Sequence, residues 1–539
     1  MVSISKCLRV VVVATGLLFA AVAAAEPPAG LNARIQTVID EYGVPGMAVA
    51  IVEQGKVVHA RGYGVRRLGS PERVDADTIF PTGSTGKAIT TAALAILVDE
   101  GKIDWDDQVT EHLPGFQMYD PWVTREMTIR DLLVHRSGLG LGAGDLMFVP
   151  RSSRSRADTV HQLRHIKPAT SFRSGYAYDN VLYVVAGQLI EAVSGKTWET
   201  FVRERVLEPV GMRTSTTDPA HRFATENRAQ PHARMDGGFR GIGTQEVLDE
   251  RKGLGRNAAP AGGVSSSAND MGRWLAIQLA NGALPGADGR RLFSEAASRE
   301  MWTPRILVPI TSFPPPVAAA TPQFSAYALG WGVRDYRGVK ILEHGGAVFG
   351  VQTMVVLIPD RQVGFSLQIN SEDGEILYGM MFELLDHYLD APKRDWVADF
   401  AAFKHARNEK KLAVARTTAT RNASSRPSLP LAGYAGDYAD PWYGPIDIRH
   451  ENGRLRIDFK QTPDMAGTLE HWQYDTFRTQ WDDNTLEPAY VTFALDAAGK
   501  VDRITMKAVS PLADFSYDYQ DLLLTPMGDD TCPGGCGTR

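Results

Sequence analysis

Cysteine is scarce in this chain, with only three among 539 residues. No charge sign is in large excess either, because 57 Lys and Arg residues balance 63 Asp and Glu residues and leave a formal net charge of -6. A disulfide-rich scaffold is therefore excluded, and there is no basic face for nucleic acid. With 44% hydrophobic and 22% charged residues, the chain has the composition of a globular protein. Its length predicts two or more domains.

Long apolar runs are also rare, but one occupies residues 10–20, behind two basic residues and ahead of the small residues 21–25. This order is typical of a secretory signal peptide, with cleavage expected after Ala23 or Ala25. A membrane anchor is the weaker alternative, because the run is shorter than the roughly 20 residues of a spanning helix. We therefore expect a signal peptide over 1–25, a periplasmic or secreted protein, and no stable membrane span after cleavage.

Cleavage of the signal peptide would determine which cysteines remain in the mature protein. Cys7 would be lost with the signal peptide, which leaves Cys532 and Cys536 in a C-terminal tail, residues 526–539. A small disulfide loop is plausible in an oxidising compartment. A metal site would need further ligands that the neighbouring sequence lacks, so we expect no metal in this tail.

Hydrophobic periodicity predicts an α/β domain over residues 26–392, with strands at both ends and helices between them. One buried helix should begin close to Ser84. Other helices are predicted over 31–42, 129–135, 180–193, 270–280 and 375–389, and strands over 46–52, 56–63, 329–335, 350–358 and 363–370.

The character of the chain changes after this domain. The composition of residues 393–430 predicts a spacer helix followed by a linker rich in Ser, Thr, Arg and Pro. Short alternating strands then predict a small antiparallel β-domain over 431–525, barrel-like or half-barrel, with a hairpin turn at Asn452-Gly453. This domain could reach into a substrate cleft and limit substrate size.

Ser84 and Lys87 are three residues apart at the predicted start of the buried helix, so both side chains share one helical face. A lysine in a dry pocket can lose its proton and activate a serine hydroxyl, and the free N–H groups of a helix N-terminus can stabilise an oxyanion. Taken alone, the pair is a weak signal that favours a capping serine beside a solvated lysine.

Two further motifs favour the catalytic interpretation. Tyr178-Asp179-Asn180 precedes a predicted helix, and His344-Gly345-Gly346 lies between two predicted strands. With Ser84-x-x-Lys87, this ordered set resembles the penicillin-recognising serine hydrolases: class C β-lactamases, D,D-peptidases, D-aminopeptidases and esterases of the β-lactamase fold. Flanking phrases match as well, around 129–139, 260–266 and 330–332. The domain after the linker is similar to the lipocalin-like module that often follows this catalytic domain.

The resemblance implies a β-lactamase/transpeptidase-like fold, an antiparallel sheet with helices on both faces plus a helical region, and a catalytic role for each motif. Ser84 would form an acyl-enzyme while Lys87 and Tyr178 exchange its proton. Asn180 would bind the acyl side chain of the substrate or Lys87, and the backbone N–H groups of Ser84 and Ala347 would form the oxyanion hole. The chemistry implied requires neither a metal nor another cofactor.

One departure bears on the substrate. The third motif reads His344-Gly345-Gly346 where β-lactam-cleaving members have Lys-Thr-Gly, so the fixed ammonium that binds a β-lactam carboxylate is missing. We expect His344 to be a weaker, pH-dependent anion site that lines the cleft. Hydrolysis of small esters, or of amides and peptides with D-residues, therefore ranks first and β-lactam hydrolysis second. The alternative from another class is an exported penicillin-binding or sensor protein that acylates without turnover.

The arginine-rich stretch 151–164 is more typical of a solvated surface, although its place between the first two motifs suggests the lip of the cleft. If so, Arg154 and Arg156 would favour acidic substrates.

Overall fold

A large antiparallel sheet forms the centre of the first part of the chain. The computed structural model describes residues 27–286, 288–418 and 421–528, so the predicted signal peptide and both tail cysteines lie outside the described residues. The strands before the linker are β1 (Gly46–Glu53), β2 (Lys56–Gly64), β3 (Phe80–Pro81), β4 (His232–Arg234), β5 (Gln245–Val247), β6 (Ser265–Ser266), β7 (Ile306–Leu307), β8 (Ser325–Tyr327), β9 (Gly332–Tyr336), β10 (Val339–Val348), β11 (Val351–Ile358) and β12 (Val363–Ile369). Eight of them pair in the order β2-β1-β12-β11-β10-β9-β8-β7.

Helices cover both faces of this sheet. They are α1 (Leu31–Tyr42), α2 (Lys87–Asp99), α3 (Val109–His112), α4 (Pro121–Glu126), α5 (Arg156–Gln162), α6 (Val181–Ser194), α7 (Trp198–Val202), α8 (Glu208–Val210), α9 (Pro219–Ala224), α10 (Ala259–Gly262), α11 (Ala268–Leu279), α12 (Glu295–Met301), α13 (Gly374–Tyr388) and α14 (Trp396–Thr418). Buried side chains of α1, α13 and the start of α14 pack against one face of the sheet. On the other face α11 contacts β1 and β12, and a helical region centred on α2 and α6 lies beside it.

The helix α2 is buried on all sides rather than along one stripe. Every residue from Lys87 to Leu97 is buried, because small and aliphatic side chains let α6, α7 and α10 approach closely. Gly187 of α6 shows how tight this packing is, since a methyl group there would come 2.1 Å from Cγ of Pro260. The start of α2 is therefore held rigidly.

An eight-stranded closed barrel follows α14. Its antiparallel strands are β13 (Gly436–Asp440), β14 (Gly444–Glu451), β15 (Arg454–Phe459), β16 (Ala466–Gln473), β17 (Thr476–Trp481), β18 (Ala489–Leu495), β19 (Val501–Ala508) and β20 (Leu523–Pro526). The predicted turn joins β14 to β15, and both Asn452 (φ 51°) and Gly453 (φ 75°) adopt the left-handed conformation that such a two-residue turn requires.

The barrel docks directly on the helical region. The Asp518 carboxylate accepts hydrogen bonds from the backbone N–H groups of Gly144 (2.7 Å) and Leu146 (3.0 Å), and Lys252 forms an ion pair of 2.7 Å with Asp483 of the barrel. Within the described ranges, no helix is both long and apolar enough to cross a bilayer.

Two local predictions differ from the structure. The helix predicted over 129–135 is only a 3₁₀ turn, Asp131–Leu133. The Asp131 carboxylate accepts hydrogen bonds from the N–H of Thr128 (3.1 Å) and from the guanidinium of Arg136 (2.7 Å). In addition, His135 has a φ of 59°, which ends any helix. His344 lies inside β10 rather than between two strands. The adjacent Gly345 and Gly346 concealed this strand, since glycine has low β-propensity.

Candidate active site

Ser84 and Lys87 lie where a 3₁₀ turn, Gly83–Gly86, continues into α2. Ser84 is partly exposed while its neighbours from 81 to 90 are buried. The Lys87 ammonium nitrogen, Nζ, donates to Oγ of Ser84 over 2.9 Å. Since Lys87 has no exposed surface and the N-cap positions of the 3₁₀ turn and of α2 are Thr82 and Gly86, the alternative of a capping serine beside a solvated lysine does not apply.

The second motif, immediately before α6, contacts the same hydroxyl. The phenol of Tyr178 donates to Oγ of Ser84 over 2.7 Å. Asn180, the residue before α6, accepts from Nζ of Lys87 through its Oδ1 at 2.7 Å, and the carbonyl of Ala261 accepts a third hydrogen bond from Nζ at 3.0 Å. The fold thus brings the phenol of Tyr178 to the hydroxyl of Ser84 and the amine of Lys87, although Tyr178 and Ser84 are 94 residues apart in the chain.

The ring of Tyr178 is clamped between other rings. His135 lies 4.2 Å from it, centroid to centroid, His344 lies 6.2 Å away, and Phe515 of the barrel makes an edge contact at 6.1 Å. These contacts restrict rotation of the phenol, so its hydroxyl is pre-oriented toward Ser84.

Burial controls the protonation of both partners of Ser84. Desolvation lowers the pKa of Lys87 from 10.5 to about 7, although the carboxylates of Asp145 and Asp179 oppose this effect. Desolvation raises the pKa of Tyr178 well above 10, despite its hydrogen bond to Ser84. Near neutral pH, a large fraction of Lys87 is therefore a free amine, whereas Tyr178 is a phenol.

The third motif places the end of β10 against the nucleophile turn. A methyl group on Gly346 would come 2.2 Å from the carbonyl oxygen of Thr82 and 3.1 Å from the Ser84 nitrogen, and one on Gly83 would come 2.7 Å from the Ala347 nitrogen. Only glycines permit this approach. The amide nitrogens of Ser84 and Ala347 therefore line the same small region beside Oγ of Ser84.

His344 differs from the expected pH-dependent anion site. Its Nε2 accepts a hydrogen bond from the phenol of Tyr327 (2.7 Å), and its Nδ1 lies 2.6 Å from the carbonyl of Gly345. Desolvation, with the nearby positive charge of Lys87, lowers the pKa of His344 to about 3. The imidazole is thus neutral throughout the physiological range, and the prediction of a titrating cation here is wrong because His344 is buried within the sheet.

Asp145 was missed in the sequence because it belongs to none of the motifs. It is fully buried, and its Oδ2 accepts hydrogen bonds from Asn180 (2.9 Å) and from the Ser516 hydroxyl of the barrel (2.8 Å). Burial raises the pKa of Asp145 to about 7. Asp145 therefore links the barrel to Asn180 and, through it, to Lys87.

A cavity of about 290 Å³ opens in front of Ser84. Asn180 and Ala347 line it beside the nucleophile, α14 contributes Lys404, Arg407 and Lys411, and the barrel closes it with Glu487, Leu512, Asp514, Ser516 and Tyr517. This geometry agrees with the expectation that the β-domain reaches the cleft. No sequence motif indicated which residues of the barrel would line it.

Arg154 and Arg156 do not form the lip of this cavity. Arg156 is 9% exposed and is paired with Glu191 and with Glu199. Arg154 lies over the ring of Tyr443, 5.5 Å from its centroid. Both arginines stabilise contacts between elements instead, so the hypothesis of an acid-binding lip is wrong.

The family of the chain follows from comparison with known proteins. Residues 31–379 match the family described as Beta-lactamase, and residues 420–526 match a domain of unknown function, DUF3471. An unguisins hydrolase of Aspergillus campestris is 29% identical over 78% of this chain and 77% of its own length. Penicillin-binding protein 4 of Amycolatopsis lactamdurans is 30% identical over 62% of this chain and 84% of its own length.

Two solved structures share the fold. The octameric penicillin-binding protein homologue from Pyrococcus abyssi aligns with a TM-score of 0.59 and 20% identity, over 89% of this chain and 97% of that chain. SurE aligns with a TM-score of 0.52 and 22% identity, over 93% of this chain and 98% of that chain.

This chain therefore belongs to the beta-lactamase family. It is a serine hydrolase of the β-lactamase and penicillin-binding type, and the predicted β-lactamase/transpeptidase-like fold followed by an antiparallel barrel is confirmed.

Proposed function

We propose that this chain is an exported enzyme that hydrolyses small esters, or amides and peptides with D-configured residues, through an acyl-enzyme on Ser84. One observation carries the proposal. Oγ of Ser84 is hydrogen-bonded at once to Nζ of Lys87 (2.9 Å) and to the phenol of Tyr178 (2.7 Å), and it faces a cavity of about 290 Å³.

In acylation, Lys87 is the base. Its neutral form accepts the Ser84 proton as Oγ attacks the substrate carbonyl, and the amide N–H groups of Ser84 and Ala347 stabilise the oxyanion. The pKa of Lys87, about 7 because of burial, makes this proton transfer favourable near neutral pH. Tyr178, a phenol in the resting enzyme, donates its proton to the leaving group and is reprotonated from Lys87.

In deacylation, a water molecule replaces the leaving group and attacks the acyl carbonyl. Tyr178 accepts the proton of this water as it passes its own proton to Lys87, and Lys87 then gives that proton to Oγ of Ser84 as the acyl bond breaks. Because burial raises the pKa of Tyr178 well above 10, its phenolate is a strong base that exists only transiently. Asn180 holds Nζ of Lys87 in place through both steps, at 2.7 Å.

Esters and amides rank above β-lactams because the third motif offers no cation. His344 is neutral near pH 7, since burial lowers its pKa to about 3, and both ring nitrogens already have protein partners. A β-lactam carboxylate would therefore find no fixed ammonium at the position that Lys-Thr-Gly enzymes use.

A panel of substrates tests the proposal. Purified mature protein is assayed with p-nitrophenyl acetate and butyrate, D-amino-acid amides, D-Ala-D-Ala peptides and nitrocefin. We expect steady turnover of an ester or a D-amide with kcat/KM above that for nitrocefin. A single burst of product equal to the enzyme concentration, without later turnover, would instead identify a penicillin-binding or sensor protein. Nitrocefin as the best substrate would identify a β-lactamase.

Export is supported by the basic, apolar and small-residue order of residues 1–25. Expression of the full chain in a Gram-negative host, followed by fractionation and N-terminal sequencing, checks it. The expected product is periplasmic or secreted and begins at residue 24 or 26, whereas cytoplasmic protein that keeps Met1 would contradict export.

A further inference from the structure

Glu487 is a buried acid in the wall of the catalytic cavity. It lies between β17 and β18 of the barrel, is 4% exposed, and lines the same cavity as Ser84. Its backbone is fixed, because its carbonyl accepts hydrogen bonds from the indole of Trp481 (2.9 Å) and the phenol of Tyr519 (2.9 Å). The side chain is thus held at the cavity wall by the barrel.

Among the residues that the structure describes, none forms a hydrogen bond or ion pair with the Glu487 carboxylate. Arg240 is the nearby cation, but its guanidinium is already used: Nε and Nη2 bind Glu372 at 2.9 and 2.6 Å, and Nη1 binds the carbonyl of Thr485 at 2.7 Å. A buried carboxylate without a partner destabilises the folded protein, because no hydrogen bond or ion pair offsets its loss of hydration.

Three charged side chains act on Glu487: Arg240, Glu372 and Asp514. Since Arg240 is ion-paired with Glu372, the Glu487 carboxyl has no cation of its own among these three neighbours. Burial, with the neighbouring carboxylates of Glu372 and Asp514, raises the pKa of Glu487 to about 7 although Arg240 opposes this shift. A bound cation would reverse this shift and supply the missing partner.

The cations of α14 do not fill this place. Lys404 is paired with Glu375 at 2.6 Å, Arg407 lies over the ring of Phe403 at 5.8 Å, and Lys411 reaches the carbonyl of Pro511 at 3.5 Å. Arg407 and Lys411 are exposed to solvent, whereas Glu487 is 4% exposed and lines the cavity.

We propose that Glu487, with Asp514 beside it, is a subsite for the positively charged amino group of a substrate whose carbonyl is attacked by Ser84. This inference rests on the proposed function and narrows it to amino-acid or peptide esters and amides with a free amine. The ammonium donates to the Glu487 carboxylate, and the barrel thereby determines specificity for a reaction carried out by the other domain.

The test compares the full mature chain with Glu487→Gln, which keeps the shape and removes the charge. Calorimetric binding of benzylamine, a cation at neutral pH, is measured against uncharged benzyl alcohol, independently of catalysis. We expect the preference for the amine to fall about 10-fold or more, the usual effect of losing a charged hydrogen bond. Glu451→Gln, at an exposed hairpin of the same barrel, is the matched control and should behave as the parent.

A second readout uses D-alanine p-nitroanilide and its N-acetyl derivative. The ratio of kcat/KM for the free amine to that for the acetylated compound should fall about 10-fold in Glu487→Gln and several-fold in Asp514→Asn, which serves if the first variant does not fold. An amine preference of the parent retained in both variants would overturn the subsite. Loss of amine binding in the variants, with no turnover of any substrate by the parent, would overturn the proposed function alone.

Discussion

The negative charge of Asp145 partly offsets the lowering of the Lys87 pKa by burial, and its removal in Asp145→Asn tests whether Lys87 is the catalytic base. The asparagine keeps an oxygen to accept from Asn180 and Ser516, which now bind the carboxylate at 2.9 and 2.8 Å. The carboxylate stabilises the Lys87 ammonium, so its loss should lower the pKa of Lys87 further below the present value of about 7. The acid limb of the pH profile should then move to lower pH.

The size of the shift follows from the geometry. Asn180 bridges the two groups, so the charges are roughly 7 Å apart, and an effective dielectric constant of about 20 gives roughly 2 kcal/mol, or between about 1 and 2 pKa units. Because burial raises the pKa of Asp145 itself to about 7, its carboxyl is only partly ionised there. We therefore expect about half of the full shift, close to 1 pKa unit.

The assay is kcat/KM for p-nitrophenyl butyrate between pH 5 and 9. The parent should lose activity as the pH falls through about 7, since protonated Lys87 cannot accept the Ser84 proton. In Asp145→Asn the same loss should occur about 1 pH unit lower. Asp502→Asn, an exposed acid of the barrel, should leave the profile in place. A parent profile that is flat between pH 6 and 8, or one unmoved in Asp145→Asn, would refute Lys87 as the base.

Two other substitutions probe the site and its support. Tyr178→Phe keeps the ring contacts with His135 and Phe515 but removes the hydroxyl at 2.7 Å from Ser84. We therefore expect kcat to fall by about 100-fold to 10,000-fold with little change in Tm. Activity within a few-fold of the parent would exclude Tyr178 from proton transfer. Gly187→Ala places a methyl group 2.1 Å from the Pro260 ring and should destabilise the protein by about 1 to 3 kcal/mol in urea unfolding; an unchanged midpoint would contradict the tight packing of α6.

Local patterns predicted most of the fold. The expected helix at 31–42 is α1, Leu31–Tyr42, and the spacer helix expected at the start of 393–430 is α14, Trp396–Thr418. Strong periodicity, β-branched runs and the Asn452-Gly453 turn are local signals, so they can be read from sequence. The failures also have local causes: side-chain hydrogen bonds of Asp131 replaced a helix, and two glycines concealed β10 around His344.

The site was predictable only as far as its motifs extend. Ser84, Lys87, Tyr178 and Asn180 belong to ordered motifs, and the structure brings them together. Asp145 and Glu487 belong to none, because their importance arises from burial and from the docking of the barrel, which no spacing encodes. The environment of His344 could not be predicted from the sequence either. Its hydrogen-bond partner Tyr327 lies on another strand, and burial lowers the pKa of His344.

Covalent labelling is the most direct test that Ser84 is the nucleophile. The mature parent is treated with a fluorophosphonate probe, digested and sequenced by mass spectrometry, beside Ser84→Ala and the control Ser153→Ala, an exposed serine that does not line the cavity. We expect the adduct on the peptide that contains Ser84 in the parent and in the control, no adduct in Ser84→Ala, and at least about 1000-fold lower ester turnover in that variant. An adduct on another serine, or Ser84→Ala hydrolysing the ester as fast as the parent, would contradict the account.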